Sequence, residues 1–285
     1  MRIRLGISTC PNDTFAFHAL LHRLVDWRGL EYEVELLDIQ QLNRDLFAGR
    51  FDVAKASFYA ALKLAQTMLV LPSGSALGFG VGPLLLAARS DERPLEYNDN
   101  QITLCPGSDT TATLLYQLFF PQCGIVEQVV FSEIMPRLRQ GTADFGVCIH
   151  EGRFTWQQQG LILVDDLGSL WENETGCPLP LGGILARRTM GDDVIAKIQA
   201  TVRDSLDYAM AHRWETEPTM RHYAQELDVQ VLWQHVDLYV NDWTLNLGER
   251  GQSALRQLSS LAIERGLVGP TADKLSIWQA QRPSN

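Results

Sequence analysis

The sequence predicts an α/β fold of two layered units with a ligand cleft between them. Three observations predict it. Short apolar or alternating runs, which read as strands, take turns with amphipathic runs that read as helices. That pattern is the signature of α/β layers around a largely parallel sheet. It breaks at a charged, turn-rich segment and then starts again, as a chain does on entering a second unit. A second break, rich in Pro and Gly, returns the chain to a strand and a long helical tail. The expected division is 1–92 plus 184–285 for a first unit built from both ends of the chain, with 93–183 inserted as the second. Clefts between such units are where small ligands bind.

Each element follows from local pattern. Residues 2–7 alternate as a strand. Cys10-Pro11-Asn12-Asp13 makes a turn, and 14–25 forms a helix with Asp13 or Thr14 as its N-cap. Residues 31–36 alternate cleanly as a strand with one polar face. Asp38 caps a short helix that ends at Gly49, with Leu42 and Leu46 on one side. A short strand, 52–56, leads into a helix over 58–66. The glycine-dense stretch 73–83 then runs directly into an apolar strand, 84–88. Segment 89–100 is the first crossing. The middle repeats the pattern as strand 102–105, turn 106–109, helix 110–120, strand 126–131, helix 132–140 and strand 145–149. The second crossing is 178–183, and 184–188 is a strand. The rest is helical to about residue 266, with long amphipathic stretches at 192–212 and 253–265.

Bulk properties narrow the function. The 285 residues carry 24 basic and 34 acidic side chains, a formal charge of −10 and a pI near 5.1. No basic footprint for nucleic acid or anionic lipid exists. An anionic ligand would need a local donor site that opposes this field. The five cysteines, Cys10, Cys105, Cys123, Cys148 and Cys177, form no Cys-x-x-Cys pair and no zinc spacing with a histidine. Neither a metal nor a disulfide is expected. The N-terminal strand pattern lacks the apolar core of a signal peptide, and no run approaches the ~20 apolar residues that span a bilayer. A reduced, cytoplasmic protein with no nucleic-acid or membrane partner is expected.

Several short stretches could carry chemistry. In Gly146-Val147-Cys148-Ile149-His150-Glu151-Gly152-Arg153-Phe154 an apolar run ends in His-Glu. Ligand sites in α/β folds collect where strands end, and a histidine there titrates near neutral pH. On this stretch alone, a histidine that only hydrogen-bonds a neighbouring loop is the simpler reading. The turn 106–109 and the helix start at Thr110, Thr111 and Ala112 offer free N–H groups and two hydroxyls, a ready anion site. Plain capping explains the same residues. Lys55-Ala56-Ser57 follows a strand and can face a cleft, or can be a surface lysine beside a capping serine. A Ser57–His150 nucleophile pair lacks the Gly-x-Ser-x-Gly elbow. Gly78-Phe79-Gly80-Val81-Gly82 precedes a strand and so matches no dinucleotide fingerprint. It reads as a close backbone approach to another segment or to a ligand. Cys148 shares a strand face with His150 and reads as packing. Cys10 reads as a loop residue.

Taken together, these segments resemble one family. Ser8-Thr9-Cys10-Pro11-Asn12-Asp13-Thr14-Phe15, Asp38 with Leu42-Asn43, Lys55-Ala56-Ser57, Ser73 to Gly78 with Gly80-Val81-Gly82-Pro83, Thr110-Thr111-Ala112 and Ile149 to Phe154 all resemble the 1,4-dihydroxy-6-naphthoate synthases of the futalosine route to menaquinone. Leu179-Pro180-Leu181-Gly182-Gly183 and Tyr239-Val240-Asn241 extend the resemblance over nearly the whole chain. It implies a type II periplasmic-binding-protein fold used as a cytoplasmic enzyme. It implies cyclic dehypoxanthine futalosine as substrate, split by carbon–carbon lyase chemistry into 1,4-dihydroxy-6-naphthoate and dihydroxyacetone, with no cofactor. The family's catalytic base maps onto His150. Its substrate-binding positions map onto Lys55, Ala56, Ser57, Thr110, Thr111 and Ala112, with Asn12, Asn43 and Gly78 in the flanking motifs. Two departures stand out: Thr9 where members often have Pro, and Ser108-Asp109 where a basic or imidazole side chain often precedes the threonines. Chorismate dehydratase, a sister enzyme of the same fold, lacks the Cys-Pro-Asn-Asp-Thr-Phe and His-Glu-Gly-Arg-Phe blocks. A solute-binding protein or sensor is the non-enzymatic alternative.

Overall fold

The structure is a computed structural model that describes residues 1–88, 100–121, 124–224, 228–269 and 274–280. The first stretch contains β1 (Arg2–Ser8), α1 (Pro11–Ala16), α2 (His18–Leu21), β2 (Glu31–Leu37), α3 (Ile39–Phe47), β3 (Val53–Ser57), α4 (Phe58–Lys63), β4 (Met68–Val70) and β5 (Ala76–Gly78). The chain then enters β6 (Leu84–Ala88), β7 (Ile102–Cys105), α5 (Thr111–Phe119), β8 (Ile125–Gln128), α6 (Phe131–Arg139), β9 (Phe145–Cys148), α7 (Gly152–Thr155), β10 (Leu161–Asp166) and α8 (Leu167–Thr175). It returns through β11 (Leu179–Arg187) to α9 (Asp192–Ala211), α10 (Glu217–Tyr223), α11 (Val229–Tyr239), α12 (Asp242–Leu245) and α13 (Gly248–Glu264).

Two sheets result. The first runs β2-β1-β3-β11-β4, with β5 added beside β11, and the second runs β10-β6-β9-β7-β8. The expected parallel β-α pattern holds around β1 and around β7: β1 pairs in parallel with β2 and β3, and β7 with β8 and β9. The expectation of largely parallel sheets is corrected, because both sheets are mixed. Strand β11 runs antiparallel to β3, β4 and β5, and β6 runs antiparallel to β9 and β10. Parallel neighbours need a crossover helix. Strands β6 and β11 enter from the other lobe without one, so their direction is reversed.

The crossings also move the expected boundaries. The division at 92/93 would leave β6 in the first unit, yet its hydrogen bonds lie in the second sheet. The chain passes between sheets in the glycine-dense stretch before β6. The charged part of the first crossing, 89–99, lies outside the described residues, as does Cys123. Residues 179–183, expected at the end of the inserted unit, form the start of β11 and pair with the first sheet.

Local signals explain most element ends. Asp38 caps α3 by accepting from the N–H groups of Gln40 and Gln41, as expected. Thr110 caps α5 by accepting from Thr113 N. The helix expected over 14–25 begins earlier. Proline lacks the N–H that the first helical position leaves unpaired anyway, so Pro11 opens α1 and Cys10 takes the N-cap position. That shift puts Asn12 and Asp13 inside the first turn. Strands β4 and β5, three residues each, are too short to show a period, and β10 and α8 fill a stretch without a strong pattern in the sequence.

The largest apolar cluster joins the lobes. Phe58, Tyr59 and Leu62 of the first lobe pack in one cluster with Ala112, Leu115 and Tyr116 of the second and with Leu255 and Leu258 of α13. Trp171 is fully buried, and its Nε1 donates to the Cys177 carbonyl at 3.1 Å. A very close backbone approach joins Gly82 and Gly168. A Cβ on Gly82 would lie 2.2 Å from the Gly168 Cα and 2.3 Å from its nitrogen. Backbone cannot yield as a flexible side chain can. Gly82→Ala should therefore destabilise the protein by ~1–3 kcal/mol or more. Gly269→Ala, whose Cβ meets nothing within 4 Å, should stay within ~0.5 kcal/mol of wild type. Urea denaturation of the pair measures this, and equal midpoints would contradict the contact.

Candidate active site

The cleft lies between the C-terminal ends of β1 and β3 on one side and the start of α5 and the end of β9 on the other. It encloses about 650 Å³ of empty space, its open mouth included, which is within the ordinary range for a small-ligand site. Apolar walls such as Ile39, Val81 and Leu181 surround a few polar groups.

The floor is charged. Lys55 and Asp13 are both buried, and Lys55 Nζ donates to Asp13 Oδ1 at 2.5 Å and to the Gly74 carbonyl at 3.2 Å. Burial pushes the Asp13 carboxyl up, and Lys55 pulls it back. Asn12 Nδ2 donates to the same Asp13 oxygen at 3.2 Å.

His150 faces this floor from the second lobe. Beyond the end of β9 its backbone takes φ 54°, a left-handed conformation that non-glycine residues rarely adopt. The alternation that would put His150 on the face of Cys148 is lost there. Cys148 packs in the core between β6, β7 and α6, while His150 lines the cleft. Two contacts hold the loop. Arg153 Nη1 donates to the Gly82 carbonyl at 2.5 Å and Nη2 pairs with Asp166 at 2.9 Å. Phe131 packs edge-on against the His150 ring at 4.8 Å. Burial, with the Lys55 ammonium adding to it, pushes the imidazole down to about 4, so it is neutral at physiological pH.

Cys10, expected as a loop residue, sits against His150. Its Sγ lies 3.2 Å from Nδ1, and the two side chains come from different lobes. Burial pushes the thiol well up, and Glu151 and Asp13 push in the same direction. It is a thiol, not a thiolate, in this setting. His235 and Tyr239 of α11 also line the cleft. The His235 ring stacks 6.2 Å from that of His150. The sequence reads Cys10 as a loop residue and Asp13 as a helix cap, and marks nothing at His235. For His235 the available signal was its place with Leu232, Val236 and Tyr239 on the buried face of one helix.

The structure brings most of the expected residues together. Asn12, Lys55, Ser57, Thr110, Thr111, Ala112 and His150 all line the cleft. Ala56 does not; it faces the core beside Lys55. Asn43 is one layer back. It is fully buried, accepts from Ser57 N at 3.0 Å and donates to Ser57 Oγ at 3.1 Å. That leaves the Ser57 O–H to donate into the cleft. Gly78 is not at the cleft and the expectation is corrected. It pairs with Leu179, and its side packs on Val81 and Asn241. The backbone approach there is to protein, not to ligand.

Thr111 Oγ1 donates across the cleft to the Leu181 carbonyl at 2.6 Å, while the first N–H groups of α5 keep no intrahelical partner. Asp109 is directed away from the cleft. It pairs with Lys63 at 2.9 Å and accepts from Gln40 at 3.2 Å. Burial alone would raise its carboxyl, but these donors together hold it below the usual range. Its charge is thus answered locally. Among the described residues no group of three or more His, Cys, Asp or Glu side chains is placed to hold a metal ion, and no helix is long and apolar enough to cross a membrane.

Comparison with known proteins places this geometry. Residues 3–264 match a family described as menaquinone biosynthesis. The 1,4-dihydroxy-6-naphtoate synthase of Thermus thermophilus is 42% identical over 275 residues, which cover 96% of this chain and 99% of that protein. The enzyme of the same name from Streptomyces coelicolor is 38% identical over 278 residues, covering 95% and 97%. A crystal structure of an Archaeoglobus fulgidus protein superposes with a TM-score of 0.88 at 30% identity, over 94% of this chain and 98% of that one. The periplasmic aliphatic sulphonate binding protein of Escherichia coli superposes at 0.65 with 16% identity, over 100% of this chain and 94% of that one, and shares the fold alone. The architecture is therefore periplasmic-binding-protein-like, and the chain belongs to the menaquinone-biosynthesis family of 1,4-dihydroxy-6-naphthoate synthases, which are lyases.

Proposed function

We propose that the protein converts cyclic dehypoxanthine futalosine into 1,4-dihydroxy-6-naphthoate and dihydroxyacetone in the cytoplasm, with His150 as the general base. One observation carries this reading. A neutral imidazole is held in a strained loop at the cleft, opposite the start of α5 and above a buried lysine. A neutral histidine can remove the proton that starts fragmentation of the ring. Formation of the aromatic naphthoate then drives the later steps. The Nδ1–H of His150 donates to the Cys10 sulfur, which steadies the ring and leaves the Nε2 lone pair as the base. The first N–H groups of α5, at Thr111 and Ala112, and the O–H of Ser57 supply the donor site for the substrate carboxylate, which the acidic chain needs. Asn43 holds Ser57 for that task.

The two lobes form the walls, and we infer that they close on the substrate to exclude water from reactive intermediates. Polar contacts at the rim include Thr111 to Leu181, and Asp109 to Lys63 and Gln40.

The defining experiment is incubation with cyclic dehypoxanthine futalosine, followed by detection of the naphthoate chromophore and of dihydroxyacetone. Incubation with chorismate should give no product. His150→Ala should lower turnover by ~10²–10⁴-fold while leaving folding and substrate binding largely intact. Near-wild-type turnover by this variant would remove His150 from the mechanism. Activity should survive EDTA.

The pH dependence follows from the depressed His150 value. The base is active when neutral, so kcat/KM should fall as the pH drops through about 4. Stability has a wider window. An unfolded histidine takes up its proton near pH 6.5, above the folded value, so the unfolded state binds more protons between the two. Stability should decline as the pH falls from about 6.5 towards 4, and His150→Gln should reduce that decline. Thermal melts at several pH values measure it, and identical pH slopes for both proteins would contradict the burial of a neutral ring.

Thr111→Val keeps the shape of the rim and removes a hydroxyl donor from a buried carbonyl. The loss is on the order of 1–3 kcal/mol and should fall on closure, seen as a larger radius of gyration in solution scattering and weaker substrate binding. Unchanged values of both would refute the rim contact.

A further inference from the structure

His235 lies on α11, one turn before Tyr239, and its ring lines the cleft beside His150. Its tautomer follows from a chain of contacts that starts at the charged floor. Asp13 Oδ1 receives Lys55 Nζ at 2.5 Å and Asn12 Nδ2 at 3.2 Å. That oxygen serves as an acceptor, so Asn12 must turn its amide N–H towards it. The Asn12 Oδ1 is thereby turned the other way, 3.0 Å from His235 Nε2. An amide oxygen only accepts, so Nε2 carries the ring proton. Burial, with His150 and Lys55 adding to it, drives the His235 imidazole well down and keeps it neutral. The neutral ring then has its lone pair on Nδ1. His235 is 1% exposed, and among the described residues its Nδ1 has no hydrogen-bond partner. A buried acceptor without a donor is uncommon in a finished structure and marks a place for one.

We propose that His235 is a substrate-binding residue whose Nδ1 accepts a hydrogen bond from a hydroxyl of the three-carbon fragment released as dihydroxyacetone. The inference rests on the substrate reading above. The chemistry selects the partner: only a donor can pair with Nδ1, and that fragment carries hydroxyls. The position selects it as well, since the fragment must leave from beside the base, and the two imidazoles are neighbours. Lys55, Asp13 and Asn12 act as positioning residues that fix which nitrogen is presented.

Two substitutions separate this role from packing. His235→Gln can still donate to Asn12 but places no acceptor at the Nδ1 position. His235→Asn places a carbonyl near that position and gives up the bond to Asn12. With cyclic dehypoxanthine futalosine as substrate, His235→Gln should lose about 10- to 100-fold in kcat/KM, mostly through KM. His235→Asn should retain more of it than His235→Gln. A residue that only fills the wall and braces Asn12 gives the reverse order, and that order would overturn the proposal. Imidazole ¹⁵N NMR of the ligand-free protein supplies the second readout. The expected His235 spectrum shows a proton on Nε2 and none on Nδ1, and a proton on Nδ1 would overturn the proposal. Wild-type protein that fails to turn over the substrate removes the substrate reading, and the hydroxyl assignment with it. Wild-type protein that is active while His235→Gln keeps full kcat/KM removes the His235 role alone.

Discussion

The ion pair between Lys55 and Asp13 is the contact on which the cleft depends. Both side chains are about 5% exposed. Burying two charges is expensive, and breaking such a pair by removing one partner costs ~3–5 kcal/mol. The pair joins the end of β3 to the first turn of α1, so it ties the strand that bears Ser57 to the helix that bears Asn12. It also sets the electrostatics above it. The ammonium lowers both His150 and His235, and the carboxylate orients Asn12. Removing either partner would therefore disturb both imidazoles and the floor together.

Around this floor the fold solves a problem of direction. Parallel β-α units deliver strand ends and helix starts to one edge of a sheet, which is where β3 and α5 present Ser57, Thr111 and Ala112. Two strands must still carry the chain between lobes. Strands β6 and β11 do so antiparallel to their neighbours. The contact of Gly82 with Gly168 lets the passage into β6 lie against the start of α8 at backbone distance. Arg153 then fastens the His150 loop to the carbonyl of the same Gly82. The strained backbone of His150 is held at a point where two crossings, a helix start and an arginine converge.

Binding proteins of this fold close on a ligand and release it. Here the same cleft carries two neutral imidazoles and a thiol, none of which is needed merely to hold an anion. The acidic surface does not conflict with binding of an anion, because the donors are local. The N–H groups of α5 and the Ser57 hydroxyl face the cleft, and Asp109, just before that helix, has its charge met by Lys63 and Gln40 at the rim.

Sequence alone determined most of the order of strands and helices, β4, β5, β10 and α8 apart, the cap at Asp38, and most of the segments that line the cleft. These are local matters: period, capping chemistry and strand ends show in neighbouring residues. The motif at Ile149 to Phe154 and the one at Cys10 to Phe15 were legible for the same reason. Tertiary structure decided the rest. The mixed direction of the sheets depends on which strand meets which across more than a hundred residues. Gly78 and Gly82 belong to one glycine run, yet one packs on Asn241 and the other on Gly168, and no local pattern separates them. Asn43 looked like a ligand contact and instead holds Ser57 from behind. The meeting of Cys10, His150 and His235 joins residues 140 and 223 positions apart through Cys10–His150 and Asn12–His235. Pairings of that kind arise from how the helices and lobes pack, and that packing is a property of the whole chain.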